Sequence, residues 1–161
     1  MGNPMRLIMI IFCVIAVMPC RLAAQSRIVV SKVRMELAVV EEGDTIFSCP
    51  CALGKNYGDK QRKGDCKTPE GSFTICSIED SSSWKHDFND GLGVRDHAYG
   101  SYFFRLKVPR FSEIGIHGTC MPASIGTRSS EGCVRLRDSD LLELKKHIRI
   151  GMTCVIEKDS I

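Results

Sequence analysis

The chain has 161 residues, which is enough for one ordinary domain and too few for two well-packed ones. Hydrophobic residues make up 43% and charged residues 25%, so the composition predicts a packed core and excludes a disordered chain. The formal net charge is +3, and past the acid-free first 24 residues 20 basic residues stand against 19 acidic ones, a near-neutral balance that argues against a nucleic-acid partner.

The first 24 residues have the pattern of a secretory signal peptide. Arg6 supplies the positive segment, and residues 7–18 (LIMIIFCVIAVM) form an unbroken apolar run. Such a run is too short for a transmembrane helix, which takes about 20 residues. Residues 22–24 (LAA) offer small side chains for cleavage. We therefore predict an exported protein of the periplasm or cell envelope, with a mature domain at 25–161 and no transmembrane segment beyond the signal.

Two other interpretations of this N-terminus stay open. The apolar run would serve as an anchor if it were not cleaved. Cys20 would be lipidated if the residues before it acted as a lipobox, although Pro19 directly before the cysteine fits that pattern poorly.

Most elements predicted after the signal are strands, because β-branched and alternating apolar residues dominate them. In the first half of the domain the predicted strands and turns are, in order, strands at 27–31, 37–40 and 45–49 with a turn at 42–44, then a turn at 68–71 and a strand at 72–78. Residues 54–67 are polar and rich in glycine and charge, which predicts a loop.

The second half begins with a long polar segment, residues 79–100, of a kind that is usually functional or mobile in a compact domain. Further strands are predicted at 103–108, 113–117 and 152–156. Residues 138–147 form the one clear helix, with Asp138 as its N-cap and an apolar stripe made of Leu141, Leu142 and Leu144. The chain is therefore predicted to be mainly β with one main helix.

Export also changes the interpretation of the cysteines. Two of the nine lie in the signal, and the other seven are Cys49, Cys51, Cys66, Cys76, Cys120, Cys133 and Cys154. In an oxidising compartment an odd number suggests one reserved thiol plus disulfide pairs. With Cys133 reserved, the other six favour three bridges, whose connectivity has 15 possibilities, and free buried thiols are the alternative for some of them. Zinc is disfavoured, because Cys49 and Cys51 are closer than the pairs of structural zinc sites.

Cys133 and His117 are the candidate catalytic pair. Cys133 lies in a small, polar, turn-prone segment, where a thiol is accessible and flanking N–H groups point into the same space. A cysteine nucleophile reacts as its thiolate, so it needs a nearby base or positive charge. His117 ends an apolar strand and precedes a glycine, whereas the other three histidines lie in the polar segment or in the last helical turn. This pairing predicts a cysteine acyl-transfer enzyme.

The same residues resemble a known family. Residues 116–119 (IHGT), 124–126 (SIG) and 130–136 (SEGCVRL) look like the catalytic signature of L,D-transpeptidases of the YkuD type. Upstream, residues 67–73 (KTPEGSF) resemble the Thr-Pro-x-Gly-x-Phe turn of that family. The resemblance covers nearly the whole mature chain, about residues 27–157, and its elements stand in the family's order.

The resemblance implies a β-rich sandwich or barrel-like catalytic domain that acts on peptidoglycan stem peptides. The enzyme would cut a tetrapeptide stem after its third residue, release D-alanine and pass the acyl group to an amine of a neighbouring stem, which forms a 3→3 cross-link. No cofactor and no metal are implied. The protein is expected to act as a monomer, and carbapenems are expected to acylate its cysteine.

Six residues take roles from this resemblance. Cys133 is expected to form the thioester, and His117 to move the protons. The carbonyl of Gly118 is expected to orient the imidazole, and the backbone N–H groups of Gly132 and Cys133 to form the oxyanion hole. Arg135 and Ser130 are candidates for contacting the substrate; a loop-bracing arginine and a turn-forming serine are the alternatives.

Two residues differ from what many family members carry. Glu131 replaces a histidine and is expected to face solvent, because a carboxylate pointing inward would raise the pKa of the Cys133 thiol. Cys120 lies three residues after the catalytic histidine. A structural disulfide is the favoured interpretation of Cys120, and a redox bond to Cys133 is the alternative.

Two other functions remain open. An L,D-carboxypeptidase would use the same cysteine and histidine, with water in place of the acceptor amine. A non-catalytic, exported module that binds the cell wall is the alternative from a different class, and it predicts that Cys133→Ala leaves the function intact.

Overall fold

The computed structural model describes residues 26–88 and 90–159. The predicted signal peptide, residues 1–24, lies outside the described residues. In the part of the chain that is described, no helix is long and apolar enough to cross a membrane.

Twelve strands and one α-helix form the described fold. The strands are β1 (Arg27–Ser31), β2 (Glu36–Glu41), β3 (Asp44–Pro50), β4 (Leu53–Gly54), β5 (Gly71–Asp80), β6 (His86–Asp87), β7 (Val94–Arg95), β8 (Tyr102–Leu106), β9 (Gly115–His117), β10 (Arg128–Ser130), β11 (Val134–Arg135) and β12 (Thr153–Ile156). The helix α1 is Asp138–Lys145, and Pro122–Ser124 form a short 3-10 turn. The prediction of a mainly β domain with one main helix is confirmed.

Eight strands form one curled sheet in the order β11-β9-β8-β5-β12-β1-β2-β3. The pairs β1–β12 and β9–β11 are parallel, and the other neighbours are antiparallel. The predicted turn between β2 and β3 is present, with positive φ at Glu42 (53°) and Gly43 (99°). Because β9 and β11 are parallel neighbours at one end, segments far apart in sequence meet there.

The core lies under this sheet and is formed by the apolar residues of its strands together with one face of α1. Leu141 and Leu144 are fully buried, as predicted. Leu142 is 46% exposed, so the predicted apolar stripe is narrower by one residue. A 3.6-residue repeat places neighbours such as 141 and 142 about 100° apart, which turns Leu142 toward solvent.

The predicted N-cap of α1 is wrong. Arg137 occupies the cap position, and Asp138 is the first helical residue. The Asp138 carboxylate instead accepts hydrogen bonds from the N–H (2.7 Å) and the hydroxyl (2.6 Å) of Ser101. A carboxylate in the first turn still favours the helix through its dipole, while these bonds join α1 to the segment before β8.

The predicted disulfides are not formed. All seven described cysteines are free thiols. Cys49, Cys51 and Cys154 are buried in the core, where they pack as small apolar side chains. Burial raises the pKa of the Cys49 and Cys154 thiols to about 12, so both stay protonated at neutral pH.

A buried lysine joins β1 to the segment around residue 70. Lys32 has no solvent exposure, and its ammonium donates to the carbonyl oxygens of Gly58 (2.8 Å) and Thr68 (2.9 Å) and to Glu70 Oε1 (2.9 Å). It also lies 3.1 Å from Asp159 Oδ2, close to the end of the described chain. This network holds residues 68–70, which lead directly into β5; the structure assigns no turn at 68–71, where the sequence predicts one.

Candidate active site

A cleft of about 390 Å³ contains the two residues that the sequence selects as the catalytic pair. Its walls come from three segments: residues 60–66, the β6 hairpin with Tyr99, and the β9 and β11 ends with their loops. The lining residues are Lys60, Lys63, Gly64, Cys66, His86, Phe88, Tyr99, Glu113, Ile114, His117, Glu131, Cys133 and Arg135.

Strand pairing brings this pair together. In the parallel register of β9 and β11, Ile116 pairs with Val134 and His117 with Arg135. His117 therefore ends β9 beside Arg135, and Cys133 directly precedes β11.

The loop before β11 has a fixed shape. Ser130 is fully buried; its Oγ accepts the N–H of Gly132 (3.1 Å) and its hydroxyl donates to the Cys133 carbonyl (2.6 Å). Gly132 has a φ of +132°, and a Cβ there would lie 2.8 Å from the Lys67 carbonyl oxygen, so only glycine fits. The Ser130 contacts support a bracing function, and its predicted contact with substrate stays a prediction.

The imidazole of His117 is held on three sides. The residue is 2% exposed, and its Nδ1–H donates to the Gly118 carbonyl oxygen at 2.6 Å. This is the contact that the resemblance implies. The ring stacks on Phe103 (centroids 5.4 Å apart, interplanar angle 11°) and contacts Tyr99 at 4.8 Å. The bond at Nδ1 fixes the tautomer in which Nε2 is the free, basic nitrogen.

Close packing requires glycine at position 118. A Cβ on Gly118 would lie 2.6 Å from Asp138 Oδ1 and 2.8 Å from the Cα of Gly100. The segment before β8 and the N-terminus of α1 therefore pack directly against Gly118, whose carbonyl orients the imidazole.

Both catalytic candidates are neutral in the resting site. Burial, together with the positive charge of Arg135, lowers the pKa of His117 to about 3. Burial raises the pKa of Cys133 to about 11, although the Gly115 N–H and the charges of Arg135, Lys60 and Arg105 act in the opposite direction. The Cys133 Sγ lies 3.4 Å from the Glu113 carbonyl oxygen. A nucleophilic thiolate at Cys133 would therefore need a base, which the sequence predicts to be His117.

The low pKa of His117 predicts a pH-dependent stability. The pKa of His117 is near 3 in the folded protein, and its ordinary value in an unfolded chain is 6.5. The contribution of the neutral imidazole to the free energy of unfolding is therefore complete above pH 6.5 and is lost as the pH falls toward 3. At 1.36 kcal/mol per pKa unit, the wild type is expected to lose about 2 kcal/mol more unfolding free energy than His117→Asn between pH 7.5 and 5.0. Urea unfolding at the two pH values measures this difference.

The other three histidines are present in both proteins, so their titration cancels in the comparison. Equal losses in wild type and His117→Asn would contradict the burial of a neutral imidazole.

Arg135 is a buried cation of the cleft. It is 3% exposed, and its guanidinium lies 4.8 Å from the Phe88 ring centroid. Nη1 is 3.5 Å from the Ser129 carbonyl oxygen, and Nε is buried without a hydrogen-bond partner among residues 26–88 and 90–159. A buried donor left unpaired is costly, so this arginine suits a substrate carboxylate.

Glu131 is exposed, as predicted, but it is also paired. Its Oε2 lies 3.3 Å from His86 Nε2 of the β6 hairpin, at the rim of the cleft. Cys120 is a half-buried free thiol, so the structural disulfide predicted for it is absent.

Sequence reasoning missed three side chains of the site. Phe103 is the cross-strand partner of His117 in β8–β9, a neighbour that period-2 alternation in β8 could have indicated. Tyr99 arrives from the long polar segment, and Lys60 from the glycine-rich loop. Nothing local in the sequence distinguishes Lys60 from the other lysines of that loop.

A second cavity, of about 470 Å³, adjoins the first. It is lined by Trp84, Lys85, Tyr99, Phe103, Arg105 and Glu113. Tyr99 and Glu113 line both cavities, and Tyr99 and Phe103 both contact the His117 ring. The long polar segment is thus partly folded onto the domain, where its Trp84 and Tyr99 line the second cavity.

Comparison with known sequences identifies one family. The sequence model of the YkuD family, described as the L,D-transpeptidase catalytic domain, matches residues 25–156. YkuD of Bacillus licheniformis, a candidate L,D-transpeptidase by its name, is 30% identical over 125 residues, 78% of this chain and 61% of that protein. YqjB of Bacillus subtilis, named in the same way, is 27% identical over 135 residues, 83% of this chain and 72% of that protein. The chain thus spans about three fifths of the first relative.

Solved structures share the fold. The catalytic domain of the Enterococcus faecium L,D-transpeptidase has a TM-score of 0.60 at 19% identity, over 82% of this chain and 96% of that one. The helical cell shape determining protein Pgp2 of Campylobacter jejuni has a TM-score of 0.61 at 22% identity, over 85% and 49%. The L,D-transpeptidase of Xylanimonas cellulosilytica has a TM-score of 0.59 at 17% identity, over 84% and 62%. At these identities the likeness establishes the fold alone.

Proposed function

Because this chain belongs to the L,D-transpeptidase catalytic-domain family, we propose that it is an exported cysteine acyltransferase of peptidoglycan stem peptides. Its reaction releases D-alanine from a tetrapeptide stem and forms a 3→3 cross-link. One observation carries the proposal: Cys133 and His117 lie in the same cleft, and the Gly118 carbonyl holds the imidazole with Nε2 free.

The first half-reaction forms a thioester. His117 Nε2 takes the thiol proton of Cys133, and Sγ attacks the carbonyl carbon of the third stem residue. The tetrahedral intermediate collapses, the bond to the D-alanine nitrogen breaks, and the imidazolium returns its proton to that nitrogen. Free D-alanine leaves, and Cys133 carries the acyl group.

The second half-reaction transfers the acyl group to the acceptor. His117 deprotonates the attacking amine, the new amide forms, and the C–S bond breaks. The proton then returns to Sγ, which restores the neutral pair seen in the resting site. Neither step requires a cofactor or a metal.

The oxyanion that forms in both steps needs hydrogen-bond donors. The Cys133 N–H makes no hydrogen bond within residues 26–88 and 90–159, so it is available. The Gly132 N–H already donates to Ser130 Oγ, so its predicted participation requires that bond to be shared or released. Arg135 is proposed to bind a carboxylate of the donor stem, which its unpaired buried Nε supports.

The second cavity favours an amine acceptor over water. A transpeptidase must bind two peptides at one thioester, and this cavity shares Tyr99 and Glu113 with the Cys133 cleft. An L,D-carboxypeptidase needs no second peptide site. It stays the alternative, as does a non-catalytic module that binds the wall.

The proposed substrate and the predicted signal peptide together support a location in the periplasm or cell envelope. The signal, the start of the mature domain at residue 25 and the monomeric state are parts of the proposal that solution work has to establish. N-terminal sequencing of the exported protein and its mass in solution would do so.

Product analysis tests the function. The purified protein is incubated with disaccharide-tetrapeptide, and the products are separated by chromatography and identified by mass. Transpeptidation gives D-alanine and 3→3 dimers, whereas carboxypeptidation gives D-alanine and tripeptide only. No release of D-alanine by the wild type would reject both enzymes. A carbapenem adduct on Cys133, detected by intact mass, is an independent check, with Cys133→Ala as the negative control.

A further inference from the structure

The cleft contains a buried lysine that the mechanism above does not use. The Lys60 side chain is 2% exposed, and its Nζ donates to Asp65 Oδ1 at 2.9 Å. The ammonium also lies 5.1 Å from the ring centroid of Phe111. It lines the same cleft as Cys133. A buried cation that faces a reactive thiol calls for a functional explanation.

The loop around Lys60 is built to hold it in place. The Asp65 carboxylate accepts the backbone N–H groups of Gln61 (2.8 Å), Arg62 (3.0 Å) and Lys67 (3.1 Å) in addition to the lysine. These bonds close the loop on itself and fix the carboxylate. The ammonium is therefore preorganised, so little reorganisation is needed when charge develops beside it.

The position of the ammonium is defined relative to the nucleophile loop. Its Nζ lies 3.5 Å from the point that a Cβ atom on Gly132 would occupy. An ammonium has three N–H bonds, and among residues 26–88 and 90–159 only Asp65 accepts one as a hydrogen bond. Further N–H bonds remain for a group in the cleft.

The Lys60 ammonium lies where the proposed oxyanion site lacks a second hydrogen-bond donor. The Gly132 N–H is engaged by Ser130 Oγ, which leaves the Cys133 N–H as the free backbone donor of the described loop. A single donor stabilises an oxyanion less than the two or more donors of a typical oxyanion hole. Lys60 is a buried cation that lies next to that loop on the Gly132 side.

We propose that the Lys60 ammonium is the second donor of the oxyanion site, where it stabilises the negative charge on the Cys133 sulfur and then on the substrate carbonyl oxygen. The proposal rests on the acyl transfer proposed for Cys133. Lys60 thereby replaces a backbone N–H that the loop uses for its own shape.

The other charges of the cleft do not supply this function. Lys63 is exposed, so solvent screens its charge. Arg135 lowers the pKa of Cys133 more than Lys60 does, but its guanidinium contacts Phe88 and Ser129 and is proposed above to bind a substrate carboxylate. Glu131 is paired with His86. Glu113 is exposed and negative, so it opposes a thiolate. The Lys60 charge already acts on the resting thiol, since it lowers the pKa of Cys133 against the effect of burial.

Two measurements test the proposal on the full-length protein. In the first, Lys60→Met is expected to lower kcat for D-alanine release by about 100-fold, with a much smaller change in KM, because a donor to the transition state is lost. In the second, iodoacetamide alkylation of Cys133 is followed by peptide mass spectrometry as a function of pH. The alkylation profile is expected to move to higher pH in the variant.

Three further variants separate charge from folding. Lys60→Gln keeps a donor for Asp65 without the charge, and it is expected to be as slow as Lys60→Met. Lys60→Arg keeps the charge and is expected to stay within about tenfold of wild type. Lys55→Met removes an exposed lysine of the same loop outside the cleft, and wild-type kinetics are expected.

A folded Lys60→Met or Lys60→Gln protein with wild-type kcat and an unchanged alkylation profile would overturn the proposal. If Lys60→Met does not fold, the result for Lys60→Gln decides. The alkylation measurement needs no peptide substrate. If the wild type releases no D-alanine but the alkylation profile of Lys60→Met still lies at higher pH than that of the wild type, the proposed function is rejected. The electrostatic effect of Lys60 on Cys133 is then retained.

Discussion

The Cys133→Ala protein is expected to release D-alanine at least about 10⁴-fold more slowly than the wild type, because removing a covalent nucleophile removes the thioester route itself. The remaining groups of the cleft cannot form an acyl intermediate. Sγ contacts the backbone of Glu113 and Gly115, so the substitution is expected to leave the fold intact. D-Alanine release is measured with a coupled D-amino-acid oxidase assay, and folding by thermal denaturation.

Cys76→Ala is the matched control, because Cys76 is an exposed thiol on β5 that does not line the Cys133 cleft. It is expected to keep wild-type activity. Release of D-alanine by Cys133→Ala at the wild-type rate would reject the cysteine mechanism. If the wild type releases no D-alanine and Cys133→Ala binds cell-wall material as the wild type does, the non-catalytic module is favoured.

The Lys32→Met protein is expected to be about 3 kcal/mol less stable than the wild type, because it leaves the Glu70 carboxylate without its cation and removes one of the two cations at Asp159. Lys32 is fully buried, and the Asp159 and Glu70 side chains that it pairs with are 4% and 13% exposed. Methionine matches the length of the lysine, so little of this loss comes from packing. Urea unfolding at pH 7 measures it.

A second variant distinguishes the ion network from the shape of the site. Lys32→Met combined with Glu70→Gln is expected to recover part of the loss, since one uncompensated charge is removed. Asp159 keeps its ion pair with Arg128 in both variants, so the stability that is regained comes from removing the unpaired charge of Glu70. Lys85→Met, at the exposed Lys85–Asp96 pair, is expected to unfold like the wild type. Equal stability of Lys32→Met and wild type would contradict a stabilising network.

The failed predictions have a common cause, since each depended on distances between segments that local sequence does not encode. Cysteine parity suggested disulfides, but Cys49, Cys51 and Cys154 are core residues whose neighbours are apolar. Asp138 had the residue type and place of an N-cap, but the segment before β8 packs against the helix start and Ser101 takes up the carboxylate.

The sequence by itself determined seven of the twelve strands, the single helix and the segments that carry Cys133 and His117, because residue alternation, turn chemistry and motif spacing are local properties. The short strands β4, β6, β7, β10 and β11 were not predicted, because two or three residues carry no periodic signal. The tertiary structure decided the environment of those two residues. The parallel register of β9 and β11 brings His117 beside Arg135, and the rings of Phe103 and Tyr99 contact the imidazole. Burial keeps both candidate catalytic groups neutral. Lys60 belongs to the site for the same reason, since only chain folding brings its loop against Gly132.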